Sequence, residues 1–129
     1  MLLTLLLLLP GCAQPQEQLG KLTGKVTFQG QPVKEGVVIF SNAAKGVHMT
    51  ANLNEQGTYT VEMAKGFGLP LGTYAVSVSP PIVDLPTGSA PPPVKEHPEI
   101  PLPYRDPKTS GLSVTIVDGD NTFDIDMQP

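Results

Sequence analysis

Few residues in this chain carry chemistry, and their spacing limits what that chemistry is. Cys12 is the single thiol among 129 residues, so no internal disulfide can form. The histidines are His48 and His97, and neither has another His or Cys near it in sequence. That spacing offers no zinc motif, which gathers several N or S donors. His48 lies on the outward face of an alternating segment and His97 in a proline-rich stretch, so both are expected in solvent. The densest acidic group is Asp118-Gly119-Asp120-Asn121, followed by Asp124 and Asp126. Asp118, Asp120 and Asn121 are the calcium candidates, since that ion takes several converging oxygens. The competing reading is a tight Asp-Gly turn with Asp124 and Asp126 facing outward. Tyr104-Arg105 joins a stacking ring to a bidentate donor, types enriched at binding hot spots, and forms the candidate partner-binding pair. No Gly-x-Ser-x-Gly elbow and no nucleophile–base pair occur, so a non-catalytic protein is expected, with no cofactor and no metal.

Cys12 has a different use. It closes the stretch MLLTLLLLLPGC, whose apolar run from Leu2 to Leu9 is broken only by Thr4. Eleven residues are too few to cross a hydrocarbon core, which needs about 20 helical residues. They suit the apolar region of a signal peptide. Leu9-Pro10-Gly11-Cys12 resembles a bacterial lipobox, with an aliphatic residue, a small residue and then the cysteine. The resemblance implies that residues 1–11 are cleaved and that the Cys12 sulfur carries diacylglycerol, with N-acylation (palmitate, for instance) to follow. Two or three acyl chains would give stable anchoring, whereas one binds only marginally. Residues 12–20 then form the lipidated cysteine and a polar tether, AQPQEQLG. The lack of Lys or Arg ahead of the leucines leads to the expectation of a start further upstream.

The elements that position these groups follow from a period of two. KLTGKVTF, HMTANL, GTYTVEM, GTYAVSVS, LSVTIV and NTFDIDM each alternate apolar and polar residues, as half-buried strands do. GVVIF, Gly36 to Phe40, is apolar on both faces and is expected to be central. Turns rich in Gly, Asn, Asp and Pro separate these runs. The 13 Gly and 15 Pro fit such a turn-dense all-β domain. The pattern predicts a seven-stranded antiparallel β-sandwich over residues 21–129. Ten of the 15 prolines fall in residues 80–111, a long proline-rich loop in which Ile100, Leu102 and Tyr104 are placed to cover a sheet edge. The net charge of −4, with no basic stripe, excludes a nucleic-acid partner.

The order of motifs resembles the carboxypeptidase regulatory-like domains, the transthyretin-like (prealbumin-like) β-sandwiches with an Ig-like Greek key. The resemblance rests on Gly24-Lys25-Val26, Gly30-Gln31-Pro32-Val33 and Gly36-Val37-Val38, then NEQGTYTV and LPLGTYAVSV. The ending IPLPYRDPKTSGLSVTIVDGDNTFDIDM is similar to a subgroup found in bacterial lipoproteins. The resemblance implies a fold and a surface location rather than a catalytic activity. The expected protein is thus a membrane-anchored, non-catalytic lipoprotein of the bacterial cell envelope, facing periplasm or exterior. It would serve as a structural module or bind a protein or glycan partner. The alternative is a ligand-binding accessory or sensor lipoprotein of a transporter or envelope enzyme. With most of the three Tyr and four Phe needed for the core, a sugar-stacking platform is disfavoured.

Overall fold

The computed structural model describes residues 11, 18–63, 66–91, 93 and 95–129. Leu9, Pro10 and Cys12 of the lipobox lie outside the described residues, and Gly11 is exposed. The chain is all-β. Its strands are β1 (Leu19–Phe28), β2 (Gln31–Pro32), β3 (Val37–Asn42), β4 (Val47–Asn52), β5 (Thr58–Thr60) and β6 (Glu62–Met63). They continue with β7 (Gly66–Phe67), β8 (Leu69–Pro70), β9 (Gly72–Ser79), β10 (Leu112–Ile116), β11 (Gly119–Thr122) and β12 (Ile125–Met127). Among the described residues, no helix is long and apolar enough to cross a membrane. The seven expected segments appear as more numerous strands. GTYTVEM and NTFDIDM each split, and β2, β7 and β8 add two residues apiece.

Two main sheets share one core. The first is antiparallel, in the order β10-β9-β3-β4. Its inner strand β3 carries the doubly apolar GVVIF segment, and Val37 and Val38 are both buried. The second is built on β1, which antiparallel partners β8, β5 and β2 flank along one edge. β11 and β12 run along its other edge in parallel. A wholly antiparallel arrangement is expected from the alternation, but the sheet around β1 is mixed. The reason is the turn after β10. Gly119 adopts φ 93°, and the chain crosses from the first sheet to the second in the direction of β1. Alternation sets only which face a residue takes; it is blind to strand direction.

The alternating residues do face inward. Leu22, Val26, Tyr59, Val61, Tyr74, Val76, Val78, Val114, Ile116, Ile125 and Met127 belong to one buried cluster with Val38 and Phe40. Phe28, Met49, Leu112 and Phe123 pack against it while partly exposed. Tyr74 Oη donates to Pro70 O at 2.7 Å inside this core, which satisfies a polar tip that burial would otherwise penalise.

The parallel edge of β1 is interrupted once. Phe123 N donates to Thr23 O at 3.0 Å, as a parallel ladder requires. The next ladder bond would run from Lys25 N to Phe123 O. Instead, Lys25 N donates to Asp124 Oδ1 at 2.9 Å, and Phe123 O accepts from Tyr59 Oη at 2.5 Å. Both backbone groups keep a partner although β11 and β12 part there. Gly24 makes this possible. A Cβ at that position would collide with Phe123 O and with the Tyr59 ring.

Candidate functional site

The proline-rich segment between β9 and β10 is anchored at its second half. Ile100 is fully buried in the core. Ile100 N donates to His97 O at 3.0 Å, closing a turn over Pro98 and Glu99. Arg105, in a short 3₁₀ turn at Leu102–Arg105, clamps that turn from outside. Its Nε donates to Ile100 O at 2.8 Å and its Nη2 to His97 O at 3.0 Å. Gln128 N donates to Tyr104 Oη at 3.1 Å, and Ser110 Oγ donates to Val76 O at 2.5 Å. The Tyr104-Arg105 pair is therefore engaged with the chain's own backbone. Of the expected edge cover, Ile100 is buried and Tyr104 half-buried, but Leu102 is 75% exposed.

This turn brings together the one cluster of metal-ligating side chains found among the described residues, Glu35, His97 and Glu99. Glu35 comes from the turn between β2 and β3. His97 Nδ1 lies 2.9 Å from Glu99 Oε1 and 3.8 Å from Glu35 Oε1. Lys95 completes the group by pairing with Glu35. The Lys95 hydrogen bond pulls the Glu35 carboxyl below its ordinary value, and the same bond pushes the Lys95 ammonium up. Gly36, next to Glu35 in the chain, lets the proline-rich loop pack closely against this turn. A Cβ there would press on Ser79 O and on the Ile100 side chain.

His97 corrects the expectation of two solvated histidines. Its side chain is only 8% exposed, while His48 is exposed as expected. The reason is tertiary: the buried Ile100 pulls the turn that carries His97 against the body. Local sequence gives no periodicity in that loop from which burial could be read. The only signal available was His-x-Glu, which places two donors on one side of a turn, and it reads as ordinary loop polarity.

The cluster borders a cleft of about 1020 Å³, lined by Pro80, Pro81, Pro93, His97, Ile100 and Arg105 among others. A second hollow of about 710 Å³ meets it at Glu35 and Lys95, with Glu55 and Glu99 on its wall. Ile82, Val83 and Leu85, earlier in the same loop, are exposed.

The calcium candidates sit elsewhere, and of the three Asn121 acts as structure. Asn121 Oδ1 accepts from Val117 N at 3.1 Å, and its Nδ2 donates to Lys21 O and Val117 O at 3.1 and 2.9 Å. That amide holds the crossing turn, while Asp118 and Asp120 point into solvent. Asp126 Oδ1 accepts from Thr27 Oγ1 at 2.8 Å and from Gly30 N at 3.3 Å, pinning the end of β1. No family model matches the chain, and neither does any curated protein.

Proposed function

We propose that this chain is a lipid-anchored, non-catalytic binding module of the bacterial cell envelope. In this reading it is a transthyretin-like, Ig-like Greek-key sandwich of the carboxypeptidase regulatory-like class. The Tyr74 bond to Pro70 O supports the Greek key, because a tyrosine bonding back to backbone a few residues upstream is a feature of such sandwiches.

The observation that carries the functional reading is the polarity of β1. Its first residues, Leu19 and Gly20, pair with β8 and β11. Its last residues, Thr27 and Phe28, pair with β2 and β12. Gly36, Ser79 and Ile100 meet at that second end, beside the cleft. Chain preceding Leu19, which contains Cys12, therefore joins the domain at the pole opposite the cleft. The 10 residues of β1, at about 3.3 Å each, set these poles roughly 30 Å apart. A lipid anchor at one pole leaves the proline-lined cleft free at the other.

A protein partner fits this cleft better than a glycan. Tyr59 and Tyr74 are buried and Tyr104 is half-buried, so no broad aromatic platform faces solvent among the described residues. Exposed Ile82, Val83, Leu85 and Leu102 supply apolar surface of the kind that marks protein contacts. One observation favours the second reading, an accessory or sensor lipoprotein. The cleft volume, about 1020 Å³, lies at the top of the range for small-molecule sites, roughly 300–1,000 Å³.

Two measurements test the proposal. In a lipoprotein-processing host the wild-type chain enters the detergent phase and Cys12→Ser leaves it; retention of the variant overturns the anchor. A photo-crosslinker at Leu102 captures a partner protein and one at Val117 does not. Equal capture from both poles, or none from Leu102, overturns the display reading.

A further inference from the structure

We infer that Glu35, His97 and Glu99 form a binding site for a first-row divalent transition metal, with zinc the best fit. The ion would clip the proline-rich loop to the β2–β3 turn. This inference does not depend on the anchor or on a partner.

The donor set selects the ion. One imidazole nitrogen and two carboxylate oxygens suit zinc and its neighbours, whereas calcium takes six to eight oxygens. The three donor atoms lie within 4.8 Å of one another. An ion about 2.1 Å from each donor requires separations of at most about 4.2 Å. The His97 Nδ1 distances of 2.9 and 3.8 Å already meet that limit. A fraction of an ångström of carboxylate rotation closes the rest. Three protein donors leave the remaining position to water or to a ligand from the cleft.

The site is built rather than incidental. The imidazole is nine-tenths buried, with its Nδ1 in contact with Glu99 and 3.8 Å from Glu35 Oε1. The Arg105 bonds to His97 O and Ile100 O fix the backbone on both sides of Glu99. Such outer support orients ligands and tunes metal affinity. The hollow beside Glu35 and Glu99 gives the ion a path from solvent.

Lys95 has a defined part in this arrangement. Its ammonium occupies Glu35 when no metal is bound, with the Lys95 side chain 69% exposed. An exposed pair of this kind contributes little, so a dication displaces it readily. Lys95 then swings to solvent or to neighbouring Glu96. The metal form of the site uses the His97 Nδ1 lone pair, so the contact of Nδ1 with Glu99 Oε1 gives way to the ion.

The test is calorimetric titration of the purified full chain with zinc, with cobalt(II) as the spectroscopic probe. One equivalent binds, and the visible bands of cobalt report nitrogen and oxygen donors. Glu35→Gln weakens binding at least about tenfold. Its side chain is 41% exposed, so this variant folds. His97→Ala weakens binding at least as much, and Lys95→Ala tightens it about twofold to fivefold. Cys12→Ser leaves affinity unchanged. Zinc also slows proteolysis within residues 80–97 of the wild type and not of Glu35→Gln. The inference is overturned if zinc and cobalt do not bind, if Cys12→Ser abolishes binding, or if Glu35→Gln binds as the wild type does.

Discussion

Tyr59 Oη donates a 2.5 Å hydrogen bond to the carbonyl oxygen of Phe123, passing over Gly24, its own cross-strand partner in β1. The bond replaces a ladder bond that β1 gives up where β11 and β12 part. Tyr59→Phe removes the donor and leaves a half-buried carbonyl without its partner. The expected loss is about 1–2 kcal/mol of unfolding free energy in denaturant melts. An unchanged midpoint would show that water replaces the phenol there.

The same phenol sets an alkaline limit. Burial first, and then the Asp124 charge, raise the Tyr59 phenol above its ordinary 10.0. With the folded value raised, the unfolded chain loses this proton first. Tyr59 therefore adds stability that is whole below about pH 10 and fades as pH climbs toward the folded value. The wild type should lose stability above that pH faster than Tyr59→Phe. Parallel decline in the two proteins contradicts this account.

Asp124 acts on two neighbours. Asp124→Asn keeps an oxygen for Lys25 N but removes the charge near Tyr59. Stability at neutral pH should change by less than about 1 kcal/mol, since that bond is exposed. The Tyr59 phenol should become easier to ionise, read as phenolate absorbance on alkaline titration. No shift in that titration would mean that burial alone raises the phenol.

Gly24→Ala tests the close approach itself. The new methyl meets backbone at Phe123 O, which cannot rotate away as a side-chain tip could. A loss of about 3 kcal/mol or more is expected, larger than that of Tyr59→Phe. Combined with Tyr59→Phe, the two losses should fall short of additive, because both act on Phe123 O. Full additivity in a double-mutant cycle counts against the shared contact.

Arg105 and Ile100 hold the proline-rich loop. Arg105→Lys loses the planar fork that reaches both His97 O and Ile100 O, a cost of about 1–3 kcal/mol. Ile100→Ala empties a buried site and costs about 2–4 kcal/mol. Limited proteolysis should cut within residues 95–105 faster in both variants. Wild-type cleavage kinetics in Arg105→Lys would show that the clamp does not restrain the loop.

The strands were legible because side-chain alternation is a local property. Leu22 and Val26, or Tyr74, Val76 and Val78, announce a buried face within a few residues. GVVIF likewise announces its central place by being apolar on both sides. Pairing is not local. Nothing near Thr23 specifies that it lies beside Thr122, so the parallel edge of β1 was invisible. The Glu35, His97 and Glu99 cluster was hidden for the same reason. Glu35 reads as turn polarity beside Lys34, and His97 as one polar residue among prolines. Only the docking of Ile100 brings the two segments together.

The parallel edge of β1 also fixes an order of events. Lys25 and Asp124 are 99 positions apart, and the bond between them belongs to the first and last parts of the fold. A chain made from its N-terminus holds β1 half-paired until Ile125–Met127 exist. Contacts of such sequence separation slow folding. The domain therefore closes as a clasp, with its earliest strand waiting for its latest.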